Sequence, residues 1–158
     1  MRNLGVTDSF FSDHTDVRPT IMFLSGLGDD YHHDGRVLME LVDPQALSGE
    51  MHAHHETLLR LGQLYKQINA PFGQLAQSTL VISTHALEST SVNDATYTQL
   101  EAQIAVWTTQ RDNLASQMKA LLSGAEFGGQ AIDEKQAKSL IAQAQSLIDQ
   151  AASVAASL

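Results

Sequence analysis

The chain has 158 residues, with 9 Lys and Arg against 18 Asp and Glu, a formal net charge of −9, a sequence pI of about 5.0 and no cysteine. Disulfides, thiolate zinc sites and cysteine nucleophiles are thereby excluded. The acidic balance leaves no basic patch to release counterions from nucleic acid or to attract an anionic membrane. The length is enough for one domain with a core, and no apolar run reaches the length of a membrane span.

The first predicted helix follows Asp16, whose carboxylate is placed to cap the free N–H groups of the first turn. Pro19 falls inside that turn, where its missing N–H costs nothing. Val17, Ile21 and Leu24 recur at helical spacing as one apolar stripe, and Gly26 can adopt the left-handed conformation that stops the helix. A polar loop leads to Asp34-Gly35-Arg36-Val37-Leu38. The text changes near Asp43. Before it, Gly, Asp and aromatic residues alternate as in loops; after it, Ala, Gln, Leu and Ser dominate, the vocabulary of helices. Residues 1–42 and 43–158 are therefore two parts.

Asp43-Pro44 opens the second part, with a helix predicted to Ile68 that buries Leu47, Met51, Leu58, Leu61, Leu64, Tyr65 and Ile68. Asn69-Ala70-Pro71 breaks it. A helix from Gly73 to about Leu87 would use Leu75, Leu80, Val81 and Leu87, although Val81-Ile82-Ser83-Thr84 is β-prone. Next comes a heptad seam of Leu100, Ile104, Trp107, Arg111, Leu114, Met118 and Leu121, with Arg111 its polar interruption. Ser123 to Gln130 holds three glycines and reads as a turn. The last helix repeats the seam with Leu140, Ala144, Leu147, Ala151, Val154 and Leu158; Asp133 and Gln136 suggest a capping box, and Ile132 a hydrophobic staple. The expected fold is mainly α, a bundle of about four helices ending in an antiparallel hairpin. The two seams would face each other or the preceding helices, or else present a surface to a partner.

Residues 16–27, Asp-Val-Arg-Pro-Thr-Ile-Met-Phe-Leu-Ser-Gly-Leu, together with Gly35-Arg36-Val37-Leu38, resemble the C-terminal signature of the alkaline phosphatase superfamily of phosphatases, phosphodiesterases, nucleotide pyrophosphatases and sulfatases. There an Asp-hydrophobic-x-Pro-Thr helix ends at a Gly-hydrophobic pair and a Gly-x-x-Leu follows; Asp16, Pro19, Thr20, Gly26 and Gly35 carry the match. The stretches Leu61 to Ala70 and Asn93 to Tyr97 are similar to helical tails on some bacterial members. The resemblance implies that Met1 lies within a longer enzyme, that residues 1–42 are the end of its α/β domain, and that residues 43–158 are a helical appendage. It implies a parent that hydrolyses phosphate or sulfate esters with a divalent metal such as zinc, manganese or calcium, in a secreted or periplasmic setting. The parent's Thr or Ser nucleophile and its Asp and His ligands would lie upstream. No catalytic residue, cofactor or resident metal is then expected on this chain, and the motif is structural. The first residues lack the order of a signal peptide, which carries no weight for a tail.

Histidine is the one residue type that could still hold a metal. His52 and His55 lie three apart on a predicted helix beside His54, Glu50 and Glu56, and His32-His33-Asp34 forms a second cluster. Imidazole and carboxylate suit zinc, nickel or copper, but a solvated helix face and a polar loop are the plainer readings, and the same holds for His14. Gly26-Leu27-Gly28 lacks the third glycine of a dinucleotide fingerprint, Ser25 lacks the paired glycines of a hydrolase elbow, and Asp29-Asp30 with Asp34 lacks the alternation of an EF-hand.

Two functions from different classes remain: the structural tail of such an enzyme, docking on the rest of its domain, or a self-standing helical module for oligomerisation or protein interaction, meeting a second copy through the seams. A tail should expose the apolar face of its first helix. A module should bury Ile21 and Leu24 against its own helices.

Overall fold

The computed structural model describes residues 1, 3–28 and 30–158, and among them there is no strand. The first helix, α1 (Val17–Leu24), ends in a Schellman arrangement. Gly26 takes φ +64°, so that the Leu27 N–H reaches the Met22 carbonyl at 2.9 Å and the Gly26 N–H the Phe23 carbonyl at 3.1 Å. Its start departs from expectation. The Asp16 side chain makes no capping bond to α1 and turns to other partners, described below.

The helix expected over 43–68 is three pieces. Asp43 caps only a 3-10 turn, Pro44–Ala46, by accepting from the Gln45 N–H. Leu47 and Ser48 are then extended, α2 covers Gly49–Ala53, and α3 (His55–Asn69) begins only after His54 leaves helical geometry at φ −112°, ψ 18°. Ser48-Gly49 is a weak helical pair, and nothing in the local sequence pulls the chain across it. Asn69-Ala70-Pro71 ends α3 as expected, and α4 (Gln74–Glu88) follows at once. A Cβ on Gly73 would run into the Lys66 and Gln67 carbonyls, so this turn needs glycine for close approach. After left-handed Asn93 and Asp94 comes α5 (Ala95–Glu126), 32 residues long, and then α6 (Glu134–Ser157), which Asp133 caps through the Gln136 N–H at 2.9 Å. The expected turn at Ser123 is displaced: α5 continues through Gly124 to Glu126, and the reversal occupies 127–133.

Helices α3 and α4 each pack on both α5 and α6, and α5 packs on α6. The chain is thus mainly α, built on a four-helix bundle. One continuous core joins Leu58, Leu61 and Ile68 of α3, Ile82 of α4, Leu100, Trp107, Leu114 and Met118 of α5, and Leu140, Ala144 and Leu147 of α6. Each buried Leu, Ile or Met contributes about 1.5–3 kcal/mol. The seams are used inside this bundle, with Ile104, Leu121 and Val154 at its half-buried margin and Leu158 exposed. On α4 the inward face is Leu75, Ile82 and Ala86. Leu80, Val81 and Leu87, expected inside, point outward. The β-prone run is helical here because Ile82 completes the core stripe, and burial outweighs a propensity of this size.

Residues of the first part join the same core: Val37, Met39 and Val42 are buried against the bundle residues. The segment 35–42 is a strap laid along α3.

Candidate functional site

The two halves of the N-terminal motif bind each other. Asp16 is fully buried, and its Oδ1 accepts the Arg36 N–H at 2.9 Å while Oδ2 accepts the Asp13 N–H at 3.1 Å. One turn on, the Thr20 hydroxyl donates to the Asp16 carbonyl at 2.6 Å and accepts the Leu38 N–H at 3.0 Å. Alternate N–H groups of the strap therefore end on the first and fifth residues of Asp16-Val17-Arg18-Pro19-Thr20. Gly35 lies so close to the Thr15 carbonyl that a Cβ could not fit. This explains the residue types: an acceptor without its own donor, a hydroxyl that does both jobs, and a glycine at the crossing.

Charged side chains then fasten the motif to the bundle. Arg36 is fully buried and meets Glu40 bidentately, with both N–O distances 2.8 Å. Gln63 of α3 adds a bond to the same carboxylate at 3.1 Å. Burial disfavours the Glu40 charge, yet the Arg36 bonds and charge outweigh it and hold the carboxyl below its usual value. Lys66 of α3 places Nζ 2.9 Å from Asp13 Oδ2, 3.0 Å from Thr15 Oγ and 3.1 Å from Asp16 Oδ1. Asp13 is likewise held below its usual value, partial burial being overcome by Thr15 and Lys66.

A third attachment comes from α5. Lys119 donates to the Gly35 carbonyl at 2.6 Å, and its ammonium lies 5.8 Å from the centre of the Tyr65 ring. Tyr65 donates to the Asp34 carbonyl at 2.9 Å; burial, with the charge of Asp34, pushes its hydroxyl up to about 12. Burial also pushes the Lys119 ammonium down, against the attraction of Glu126 and Asp16. Glu126, at the end of α5, is the exception to this pairing. Neither carboxylate oxygen has a hydrogen-bond partner among the described residues, and burial pushes the group up to about 8 despite Lys119 and Arg36. Burial thus favours its protonated form.

Above Lys119 lies an open cleft of about 360 Å³ between the end of α1, the 30–33 loop and the last turns of α5. Met22, Tyr31, His33, Lys119 and Phe127 line it. Phe127 also meets Phe23 edge-on at 6.3 Å, which ties the end of α1 to α5.

The histidines do not converge. His52 is exposed on α2, whereas His55 is buried across the break and places Nε2 3.4 Å from the Met39 carbonyl. His32 and His33 belong to the cleft, with His33 against the Tyr31 ring at 5.4 Å. Asp29 lies outside the described residues. Among those described, no three His, Asp or Glu side chains gather as a metal-binding group.

The sequence reading named Asp16, Thr20 and Gly35, and the structure brings those together. It assigned no role to Arg36, Glu40, Lys66, Lys119 or Glu126. A signal existed: Ala115, Lys119, Leu122 and Glu126 follow helical spacing beside the seam, so the buried face of α5 is wider than its heptad and carries one cation and one acid. No helix is long and apolar enough to cross a membrane among the described residues. No family model matches this chain, and neither a curated protein nor a solved structure matches it.

Proposed function

We propose that this chain is the non-catalytic C-terminal portion of a metal-dependent phosphohydrolase of the alkaline phosphatase type, with a structural role. The observation that carries the reading is the two-sidedness of α1. One side is clamped by Asp16, Pro19 and Thr20, all buried. The other presents Val17, Ile21 and Leu24, which are 52 %, 57 % and 39 % exposed. A helix fixed that firmly has no reason to offer an apolar stripe to water unless a further body covers it. In this reading the bundle is a rigid base, the buried charges hold α1 on it, and the stripe seats against the rest of the parent domain. The parent would hydrolyse phosphate or sulfate esters with a divalent cation that its upstream residues hold. The rival reading, a self-standing interaction module, draws support from the single core shared by strap and bundle. It does not account for the exposed stripe.

The test has two arms. The purified chain should not hydrolyse p-nitrophenyl phosphate or its bis-ester with zinc, manganese or calcium. Antibodies raised against the bundle should detect, in the native source, a protein far heavier than 17.2 kDa, and immunoprecipitates should show chelator-sensitive ester hydrolysis. A native product of the chain's own mass, or metal-dependent turnover by the chain alone, would overturn the reading.

A further inference from the structure

We propose that the ε-amine of Lys119, beneath the cleft between α1 and α5, is a nucleophile that captures small uncharged aromatic aldehydes as imines. The inference does not rest on the phosphohydrolase reading.

The chain has four lysines, and they stand in three settings. Lys135 and Lys138 are exposed on α6. Lys66 is buried and committed to two carboxylates, at 2.9 and 3.1 Å. Lys119 is 6 % exposed, lines the cleft of about 360 Å³ and forms no ion pair among the described residues. Its one hydrogen bond there goes to the Gly35 carbonyl at 2.6 Å. A neutral amine keeps that bond with one N–H and retains its lone pair, so holding the strap and attacking a carbonyl are compatible.

The surroundings favour the neutral amine. Burial is the leading influence and pushes the ammonium down; Glu126, Asp16 and Asp34 oppose it by charge, and Lys66 acts with it. Desolvation and a second cation nearby are both ways of activating a lysine amine.

The walls set the class of aldehyde. Three rings stand in a row: Tyr31 lies 5.4 Å from His33, and His33 lies 6.4 Å from Phe127, centre to centre. Arg18 lies over the Tyr31 ring at 4.7 Å and fixes that wall. A planar ring packs on rings at such separations. Ser116 and Ser123 offer hydroxyls to its substituents, and Asp30, also on the lining, repels an anionic one. The volume is near the lower end of the roughly 300–1,000 Å³ of small-molecule sites, enough for one substituted ring. In the step itself the Nζ lone pair forms the C–N bond while the carbonyl π pair moves to oxygen. The oxygen then leaves as water with both protons of the amine. No oxidant or reductant enters, and water reverses the capture.

Salicylaldehyde with sodium cyanoborohydride, followed by peptide mass spectrometry, tests this on the full chain. Reduction traps the imine as a stable amine. The adduct should form on Lys119 on the order of tenfold faster than on Lys135 or Lys138, because the cleft holds the ring beside the amine. Butyraldehyde, which has no ring, should show a smaller preference. Lys119→Arg keeps a donor for Gly35 but cannot form an imine, and should lose the fast adduct while keeping its circular dichroism spectrum. Ser116→Trp leaves the amine intact and narrows the cleft, and should slow labelling of Lys119 alone. Labelling of Lys119 no faster than of the exposed lysines would overturn the proposal. So would an equal preference with butyraldehyde, or a Lys119 rate that Ser116→Trp does not change.

Discussion

Lys66 Nζ lies 3.1 Å from Asp16 Oδ1, with the two side chains 3 % and 0 % exposed, and this buried pair joins α3 to the first residue of the Pro-Thr motif. Its context sets its energetics. Lys66 also neutralises Asp13, so its ammonium is in contact with two carboxylates.

Replacing Lys66 should therefore cost more than a surface pair would. Lys66→Met leaves Asp13 and Asp16 facing each other without their cation, and a loss of about 3–5 kcal/mol is expected. Adding Asp13→Asn should recover part of that loss, because its amide oxygen can still accept from Thr15 while Asp16 is left with no neighbouring carboxylate. Urea titration of the two single variants and the double variant checks this. Additive single losses, with no coupling beyond about 0.5 kcal/mol, would show that the pair does not act as a unit.

The crossing of the strap over the Thr15 carbonyl depends on the lack of a side chain at Gly35. Gly35→Ala places a Cβ against backbone atoms of Thr15 and Asp16 that cannot swing away. The expected loss is about 3 kcal/mol or more, at the upper end of overpacking. Gly28→Ala meets nothing within 4 Å and should stay within about 0.5 kcal/mol of the parent. Thermal melts of both variants make the comparison, and equal effects would contradict the close approach.

Glu126 makes stability depend on pH. Its folded value, about 8, stands above the ordinary 4.5, so the folded state binds the proton more tightly. The associated stability is complete below pH 4.5 and is lost as the pH rises through about 8. Glu126→Leu should remove this slope, and its advantage over the parent should grow from pH 5 to pH 8 by on the order of 1 kcal/mol per unit. Denaturant midpoints across that range measure the effect. Parallel profiles for parent and variant would mean that the carboxylate finds solvent or a partner.

Three helix ends were legible in the sequence, because each is a local matter of one cap or one breaker. Gly26 with Leu27, Asp133 with Gln136, and Asn69-Ala70-Pro71 all act within a turn of where they stand. The heptad seams of α5 and α6 were legible for a similar reason: one apolar stripe with polar flanks has one way to face. On α4 this failed. Leu75, Leu80, Val81, Ile82 and Leu87 spread around the helix, and only contact with α5 and α6 selected Ile82 over Leu80.

By itself the sequence determined a helical chain, its main breaks, the seam residues of the bundle and the motif residues Asp16, Thr20 and Gly35. These follow from periodicity, capping and the special geometry of glycine and proline, all of which act over a few residues. Only the tertiary structure decided that Asp16 serves the strap rather than its own helix. It alone brought Lys66 and Lys119, some 50 and 84 residues away from their partners, to the motif. Such pairings are set by where the packed core leaves room for a buried charge, and no local pattern encodes that position.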